Sequence, residues 1–262
     1  MERFSDKVAV VTGAASGICA ATARELAAEG AKVAVLDVDA EGAGRVVAEL
    51  EAAGAEALAL AADVSDRDAC GLALAHAAER WGRVDCLVNG AASFVAAGVE
   101  ASTADWERSL GVNVRGCANT VQAALPHMPS GSAVVNLASI SAHVAQPDRW
   151  TYNASKGAIV ALSRCQALDL ASRGIRVNVV SPGWIWTPEV AKAAGGDRER
   201  WEPVWGDFHM LRRLGEPREV ARAILFLLGD DASFVTATEL MVDGGYSGMS
   251  AEGLGERSEF AG

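Results

Sequence analysis

The sequence lacks the features of a membrane-spanning, secreted or nucleic-acid-binding protein. None of its uncharged apolar runs approaches the roughly 18 residues that a membrane-spanning helix requires, and residues 1–7 contain no apolar signal core. Basic residues are outnumbered: 23 lysines and arginines against 34 aspartates and glutamates give a net charge of −11 at pH 7. Binding a phosphate backbone requires a basic patch. We therefore expect no membrane, no export and no nucleic-acid partner.

Cysteine is also scarce, and its pattern limits what the thiols can form. The five cysteines are an odd number without metal-type clustering, and they are Cys19, Cys70, Cys86, Cys117 and Cys165. Reduced, mostly buried thiols are the simplest interpretation of such a set. The sequence therefore predicts a cytoplasmic protein without a metal site.

Apolar residues make up 50% of the 262 residues and recur in short runs that alternate with helical stretches. Parallel strands buried on both faces have this character, and helices joining them produce a doubly wound sheet. The pattern predicts an α/β fold, a single doubly wound parallel sheet of Rossmann type with helices on both faces. The predicted strands lie at 7–12, 32–37, 57–61, 84–89, 132–138, 175–180 and 238–242. The predicted helices lie at 17–29, 41–53, 66–81, 104–126, 151–173 and 217–229.

A glycine-rich turn follows the first predicted strand and reads Gly13-Ala-Ala-Ser-Gly17-Ile-Cys19. A strand, such a turn and a helix together present backbone N–H groups and a positive helix end to a pyrophosphate. Gly13 permits the sharp turn, and Gly17 lets the backbone approach the phosphates. Cys19 stands where a third small residue is expected, so we predict a slightly looser helix contact and a retained site. A purely structural turn is the alternative.

The second predicted strand, Lys32-Val-Ala-Val-Leu-Asp37, ends in a carboxylate 24 residues after Gly13. An acidic side chain there accepts hydrogen bonds from the adenosine ribose and repels a 2′-phosphate. No arginine follows in Val38 and Asp39 to receive that phosphate. The pattern favours NAD over NADP, the alternative being a turn or helix-cap role for Asp37.

Tyr152 and Lys156 lie four residues apart in Thr-Tyr-Asn-Ala-Ser-Lys, a spacing that places both on one face of a helix. The ammonium favours the phenolate, but lowering a tyrosine pKa by about 3 units takes roughly 4 kcal/mol. Lys156 alone is therefore insufficient. The pair is a weak signal by itself, since most such pairs are solvated helix faces.

In their order along the chain, these motifs resemble the short-chain dehydrogenase/reductase family from about residue 5 to about residue 248. The further matching residues are Asp63-Val64, Asn89 in Leu-Val-Asn-Gly-Ala-Ala, Asn113, Ser139 and the loop Pro182-Gly-Trp-Ile-Trp-Thr. Two segments depart from the family pattern. Cys19 replaces the last glycine of Thr-Gly-x-x-x-Gly-x-Gly, and Gly90 and Ala92 interrupt the Asn-Asn-Ala-Gly segment.

The resemblance implies four catalytic residues. Ser139 would donate a hydrogen bond to the reacting oxygen, and Tyr152 would exchange a proton with it. Lys156 would lower the pKa of Tyr152 and hold the nicotinamide ribose, while Asn113 would anchor a water that joins Lys156 to solvent. The implied cofactor-binding residues are Gly13, Ser16, Gly17, Ile18, Asp37, Asp63, Val64, Asn89, Ala91, Tyr152, Lys156, Pro182, Gly183, Ile185 and Thr187.

The substrate is less constrained. In this family a lid, here near 184–214, and the loop between Ser139 and Tyr152 border it, so the candidate substrate residues are Ser141, His143, Arg149 and Trp184. His143 either hydrogen-bonds a second substrate hydroxyl or is merely exposed, and Arg149 can meet a carboxylate. Four of the seven tryptophans lie in the lid, where they close an apolar cavity or pack against the body or a subunit. A sugar, a polyol and a cyclic alcohol are all compatible with these residues as substrates.

The resemblance thus implies an NAD-dependent oxidoreductase that transfers a hydride between a secondary alcohol and NAD. Its catalytic domain is expected at 1–249 and a tail at 250–262. A ketone or ketoacyl reductase and a non-catalytic NAD-binding protein are the alternatives. Because the family commonly assembles through paired long helices, here 104–126 and 151–173, a homotetramer is expected, with Leu254 and Phe260 of the tail extending the contact.

Overall fold

Seven short apolar runs form one parallel sheet in the computed structural model, which describes residues 2–250 and 253. The strands are β1 (Val8–Thr12), β2 (Lys32–Asp37), β3 (Ala57–Ala61), β4 (Cys86–Asn89), β5 (Ala133–Leu137), β6 (Arg176–Pro182) and β7 (Glu239–Val242). Their order is β3-β2-β1-β4-β5-β6-β7, with every pairing parallel. The order reverses between β1 and β4, which opens a crevice beyond their carboxyl ends. The predicted fold is confirmed.

Helices cover both faces because successive side chains of each strand point to opposite sides. The α-helices of the described residues are α1 (Gly17–Ala28), α2 (Ala40–Ala52), α3 (Arg67–Trp81), α4 (Thr103–Leu110), α5 (Gly116–Ala124), α6 (Trp150–Ala171), α7 (Pro188–Ala193), α8 (Arg198–Gly206) and α9 (Pro217–Leu228). Ala9 and Val11 of β1 belong to the apolar cluster that includes α1, α2 and α9. Val10 belongs to the cluster that includes α3, α5 and α6. The two clusters together fix the strand ends that border the crevice.

The helix predicted at 104–126 is interrupted at its centre. α4 leads into a π-helical turn, Gly111–Arg115, before the chain continues as α5 and a 3₁₀ turn. Within the π turn, Asn113 Nδ2 donates to Ser93 O at 3.1 Å and to Ser155 Oγ at 2.8 Å. Asn113 Oδ1 accepts from Ser93 N at 2.7 Å. A π turn accommodates an extra residue, and here it places a buried amide between two segments distant in sequence.

The segment at 184–214, where no helix is predicted, contains α7 and α8. Each helix begins with a side-chain cap: Thr187 Oγ1 accepts from Val190 N at 3.4 Å, and Asp197 Oδ1 accepts from Arg200 N at 3.0 Å. The helices have only 6 and 9 residues. Such short helices depend on packing more than on their own periodicity.

The described residues also bear on the predictions for membrane insertion, the thiols and the tail. No helix in the described part of the chain is long and apolar enough to cross a membrane. All five cysteines are free, four of them buried and Cys165 exposed, as predicted. Of the tail at 250–262, only Ser250 and Gly253 belong to the described residues, so Leu254 and Phe260 lie outside them.

Candidate active site

A cavity of about 580 Å³ lies at the carboxyl ends of the strands and gathers most of the predicted site residues. Those that line it are Gly13, Ser16, Gly17, Ile18, Asp37, Asp63, Val64, Ala91, Ser139, Ser141, Arg149, Tyr152, Lys156, Pro182, Gly183, Trp184, Ile185 and Thr187. Three predicted residues, Asn89, Asn113 and His143, are not part of its lining. Residues distant in sequence therefore meet in one crevice.

The glycine turn forms one end of this cavity and has the backbone geometry that its residues predict. Gly13 and Gly17 have φ values of +69° and +59°, which L side chains rarely adopt. A Cβ on Gly13 would lie 2.7 Å from Ala91 Cα, so the turn accepts no side chain there. α1 begins at Gly17 and has no acidic residue in its first turn. Its free N–H groups and positive end thus fit the pyrophosphate of a dinucleotide cofactor.

Asp37 is held in place at the end of β2, on the cavity wall. Its Oδ2 accepts from Ala15 N at 2.9 Å, and its Oδ1 accepts from Asp39 N at 2.9 Å. The cap of α2 is Asp39, whose Oδ1 accepts from Gly42 N at 3.0 Å. Asp37 therefore ties the strand end to the glycine turn and keeps a fixed carboxylate beside the cavity.

The departures at Cys19 and Gly90 from the family pattern meet in space. A Cβ on Gly90 would lie 2.1 Å from Cys19 Sγ and 2.8 Å from Leu137 Cδ1. The sulfur atom therefore occupies the volume that a side chain at position 90 would need. Asn89, one residue earlier, faces the interior, where its Nδ2 donates to Asn136 Oδ1 at 2.9 Å and its Oδ1 accepts from Thr120 Oγ1 at 2.6 Å.

Tyr152 and Lys156 are both buried on α6, with 8% and 4% of their surfaces exposed. Lys156 Nζ lies 5.6 Å from the centroid of the Tyr152 ring and donates to Leu137 O at 2.9 Å. Burial lowers the pKa of Lys156 to about 8 and raises the pKa of Tyr152 to about 12. The chain's own groups therefore do not produce the lowered Tyr152 pKa that the sequence predicts. Desolvation of the phenolate raises this pKa by more than Ser139 and Arg149 lower it.

Ser139 begins a row of polar groups along the substrate end of the cavity. Its Oγ accepts from Ser141 N at 3.1 Å and donates to Ser141 Oγ at 3.2 Å. Ser141 Oγ in turn donates to Gln146 Oε1 at 2.6 Å. Gln146, in the loop between Ser139 and Tyr152 that is expected to border the substrate, also lines the cavity. The row fixes the hydroxyl of Ser139 beside Tyr152.

Phe94 is another lining residue that no motif indicates. Its ring stacks on that of Tyr152, with centroids 5.9 Å apart and planes inclined by 23°. Phe94 is 55% exposed in the described chain. A phenylalanine five residues after the strand-end Asn89 is the sequence signal that could have identified it.

Asn113 and Asn89 border a second, much smaller cavity of about 10 Å³, whose lining shares Val64, Ala91 and Leu137 with that of the main one. Thr12 adds a hydroxyl to its lining. This is about the volume that one water requires, and polar groups are available to bind it. The water that Asn113 is expected to anchor stays a prediction; the polar atoms of the Asn113 side chain are bonded to Ser93 and Ser155.

The lid is joined to the loop at 182–187 through His209, which is only 2% exposed. Trp184 N donates to His209 Nε2 at 3.2 Å, and His209 Nδ1 lies 3.1 Å from Trp205 O. A carbonyl can only accept and an N–H can only donate, so the ring is neutral with its proton on Nδ1. Trp205 also stacks between Trp184 and Trp201, at centroid distances of 5.0 and 4.9 Å.

His143 does not line the cavity, and its side chain is 40% exposed, so the structure agrees with the second of its two interpretations, that of an exposed loop histidine. Its Nε2 lies 2.7 Å from Oε1 of Glu239 on β7, and Ser181 Oγ donates to the same oxygen at 2.5 Å. The carboxylate draws the imidazole toward the edge of the sheet. Any substrate contact by His143 would require this pair to break.

Comparison with known proteins agrees with the geometry. A family model described as "Enoyl-(Acyl carrier protein) reductase" matches residues 13–247. The cis-4-hydroxycyclohexanecarboxylate dehydrogenase of Sinomonas cyclohexanicum is 42% identical, over 95% of this chain and 99% of that protein. The meso-2,3-butanediol dehydrogenase of Serratia marcescens is 38% identical, over 93% of this chain and 95% of that protein.

A solved structure shows the same fold. The short chain dehydrogenase of Burkholderia cenocepacia J2315 in complex with NADP is 35% identical and superposes with a TM-score of 0.86, over 93% of this chain and 99% of that chain. Fold and site together define an oxidoreductase of the kind that binds a nicotinamide cofactor. The chain belongs to the short-chain dehydrogenase/reductase family.

Proposed function

We propose that the protein is an NAD-dependent oxidoreductase that transfers a hydride between a secondary alcohol and NAD, with Tyr152 as the acid–base. The observation that carries the proposal is that Ser139, Tyr152 and Lys156 line the same cavity as the glycine turn. A protein that only binds the cofactor needs the turn but not this set of proton-handling groups.

The protein's own groups prepare the substrate oxygen. Ser139 redirects its hydroxyl from Ser141 to that oxygen, and Tyr152 exchanges the proton with it. Lys156 uses one of its three donors on Leu137 O and keeps the others for the cofactor ribose. When bound, the nicotinamide ring supplies hydride transfer, and its positive charge in the oxidised state favours the phenolate. Oxidation of the alcohol should therefore accelerate with rising pH.

The proposed cofactor residues are those of the glycine turn, Asp37, Asp63 with Val64, Ala91, the Tyr-Lys pair and the loop at 182–187. Asn89 supports this set from the interior. NAD is proposed over NADP because the fixed carboxylate of Asp37 repels a 2′-phosphate. The nearest arginine along the chain, Arg45, lies 3.6 Å from the carboxylate of Asp39 and is thereby already engaged.

The proposed substrates are small alcohols, as in the relatives that are named for a hydroxycyclohexanecarboxylate and a butanediol. Phe94 and Trp184 provide apolar walls, while Ser141 and Gln146 provide polar groups. A ketone or ketoacyl reductase that works mainly toward the alcohol is the second candidate, favoured by the reductase description of the matching family model.

The segment at 184–214 is proposed as the substrate lid of a single catalytic domain at 1–249, and a homotetramer as the assembly. Leu110 on α4 and Leu168 on α6 are 39% and 78% exposed, which leaves apolar surface on the helices expected to pair. Sedimentation that shows only monomers at micromolar concentration would overturn the tetramer. A cytoplasmic location stays a prediction.

The test of the function is a screen of sugars, polyols and cyclic alcohols, and of the corresponding ketones, with NAD, NADP and their reduced forms. We expect NADH formation with at least one secondary alcohol, and none with the Tyr152→Phe variant. Cofactor binding to the same proteins is measured in parallel by titration. Binding without turnover of any alcohol or ketone would reject the enzyme and leave the non-catalytic NAD-binding protein.

A further inference from the structure

We propose that the substrate of this site is a hydroxy acid, whose carboxylate binds Arg149 while its alcohol meets Ser139 and Tyr152. The inference rests on the proposed function and narrows its substrate class. It concerns a side chain that the hydride transfer itself does not use.

Arg149 is placed at the reactive end of the cavity. It lines the cavity and directly precedes α6, three residues before Tyr152. Its guanidinium is near enough to the phenol for its positive charge to lower the pKa of Tyr152, against the larger effect of burial. A group bound to Arg149 would therefore lie within the length of a small molecule from the reacting oxygen.

Arg149 is half-buried, and its guanidinium has neither a hydrogen bond nor an ion pair among the described residues. Other arginines of the chain are engaged: Arg198, Arg213 and Arg218, for example, pair with glutamates at 2.5 to 2.7 Å. A partly desolvated guanidinium that no acidic residue in the described part of the chain meets is an unfulfilled donor set.

The neighbouring acid does not serve as its partner. Asp148 has a left-handed backbone, with φ of 53°, and its carboxylate faces Gly98, where a Cβ would lie 2.8 Å from Oδ1. The local backbone thus directs the one adjacent carboxylate away from Arg149.

The other charges of the cavity are placed elsewhere. Arg108 acts on the carboxylate of Asp63, which belongs to the adenosine end, and Lys156 is bound to Leu137. Glu189 lies at the start of α7, next to Pro188, whose Cδ is 3.9 Å from the Cβ position of Gly17. The acidic lid residue is therefore on the glycine-turn side, and Arg149 is the cation left to the substrate.

The walls between these polar ends are apolar. Phe94 stacks on Tyr152, and Trp184 is fixed in the tryptophan stack. An arginine fork binds a carboxylate through two parallel hydrogen bonds. The geometry therefore fits a compact apolar body, such as an aliphatic ring, that carries an alcohol at one end and a carboxylate at the other.

The experiment compares three probes: 4-hydroxycyclohexanecarboxylate, its methyl ester and cyclohexanol. We expect kcat/KM for the acid to exceed that for the ester by roughly 10- to 100-fold, the range of a charge-assisted pair. Arg149→Gln should abolish this advantage, whereas Arg149→Lys should retain part of it. Because the charge of Arg149 also favours the Tyr152 phenolate, the readout is the ratio of kcat/KM for the acid to that for the ester. Arg164→Gln, at an exposed position of the same helix, is the matched control.

Equal loss with acid and ester in Arg149→Gln, or no advantage of the acid in the parent protein, would overturn the inference. A binding measurement separates this from failure of the proposed function. With NAD present, the acid should raise the melting temperature of the parent protein and of Arg164→Gln, but not of Arg149→Gln. If the acid binds in this Arg149-dependent way and no alcohol is turned over, the hydroxy-acid site is supported and the oxidoreductase function is rejected. If the acid does not bind in this way, the hydroxy-acid site is rejected.

Discussion

The two ends of the main cavity are built in different ways. The cofactor end consists of backbone turns at the ends of adjacent strands, and Gly13, Gly17 and Asp37 take their positions from the chain around them. The substrate end is assembled from side chains of distant segments: Phe94 after β4, the row from Ser139 to Arg149, and the lid tied down by His209. The first end is a local structure, whereas the second depends on long-range contacts.

This difference implies that the two ends can be disabled separately. A substitution at the substrate end should leave dinucleotide binding intact, and one at the cofactor end should leave substrate selection intact. Four substitutions test the separation.

Tyr152→Phe should have the largest effect, because it removes the hydroxyl at the boundary between the two ends. We expect turnover to fall by about 10² to 10⁴-fold, the usual contribution of a positioned acid–base group. The NAD dissociation constant should change little, since the ring and its stacking on Phe94 are kept. Steady-state kinetics and a fluorescence titration check the two halves of this prediction. Retention of more than a few per cent of the parent rate would show that another group moves the proton.

His209→Ala should come next, because it leaves Trp184 N and Trp205 O without their partner and opens space beneath the lid. Loss of a buried hydrogen-bonded side chain costs about 2 to 4 kcal/mol. The free energy of unfolding should fall by that amount and the substrate KM should rise, while binding of ADP-ribose, a probe of the cofactor end alone, should stay the same. His76→Ala, at an exposed position of α3, is the control. Weakened ADP-ribose binding would mean that the two ends are coupled.

The same residue predicts a pH dependence. Burial holds the pKa of His209 below its ordinary 6.5, so the folded protein keeps the ring neutral while the unfolded chain takes up a proton. The stability contributed by the neutral ring is fully present above pH 6.5 and is lost as the pH falls through the lower folded value. Urea unfolding between pH 7 and pH 5 should show a smaller loss for His209→Ala than for the parent protein.

Asp37→Ala acts at the cofactor end and should have a smaller effect. Removing the carboxylate should narrow the preference for NAD over NADP by about tenfold, or roughly 1.4 kcal/mol, without changing the substrate KM at saturating cofactor. Asp37→Asn keeps an acceptor for Ala15 N but loses the charge, so it separates repulsion from turn geometry. NADP binding equal to NAD in the parent protein would refute the proposed preference.

His143→Ala should have the smallest effect. The imidazole contacts Glu239 away from the cavity, and polar contacts at partly exposed positions contribute about 1 kcal/mol or less. We expect kcat/KM within about threefold of the parent value, measured with any accepted alcohol. A loss of tenfold or more, specific to substrates with a second hydroxyl, would favour the other interpretation of His143, that it contacts the substrate.

The sequence predicted the cofactor end well because its signals are local. Glycine positions, strand-end polarity and the positions of the strands along the chain followed from short motifs and apolar runs. The π turn around Asn113 was missed because its cause is a contact with Ser93 and Ser155, which no periodicity records. In the chain alone the pKa of Tyr152 is raised and not lowered, because burial is a property of the whole fold. Helices α7 and α8 were missed because short capped helices packed on tryptophans have little pattern of their own.

The contact between Cys19 and Gly90 has a consequence for the history and the engineering of this chain. Gly90 does not have a positive φ, so its backbone would accept a side chain, and only the sulfur atom and Leu137 forbid it. Restoring an asparagine at 90 first creates an overlap, whereas restoring a glycine at 19 first leaves a void. The two positions are therefore epistatic. Substitution toward the family pattern avoids both the overlap and the void only when both residues change together. A motif score that treats each position independently counts Cys19 and Gly90 as two mismatches. They are a single change, in which the sulfur atom at position 19 fills the volume of a side chain at position 90.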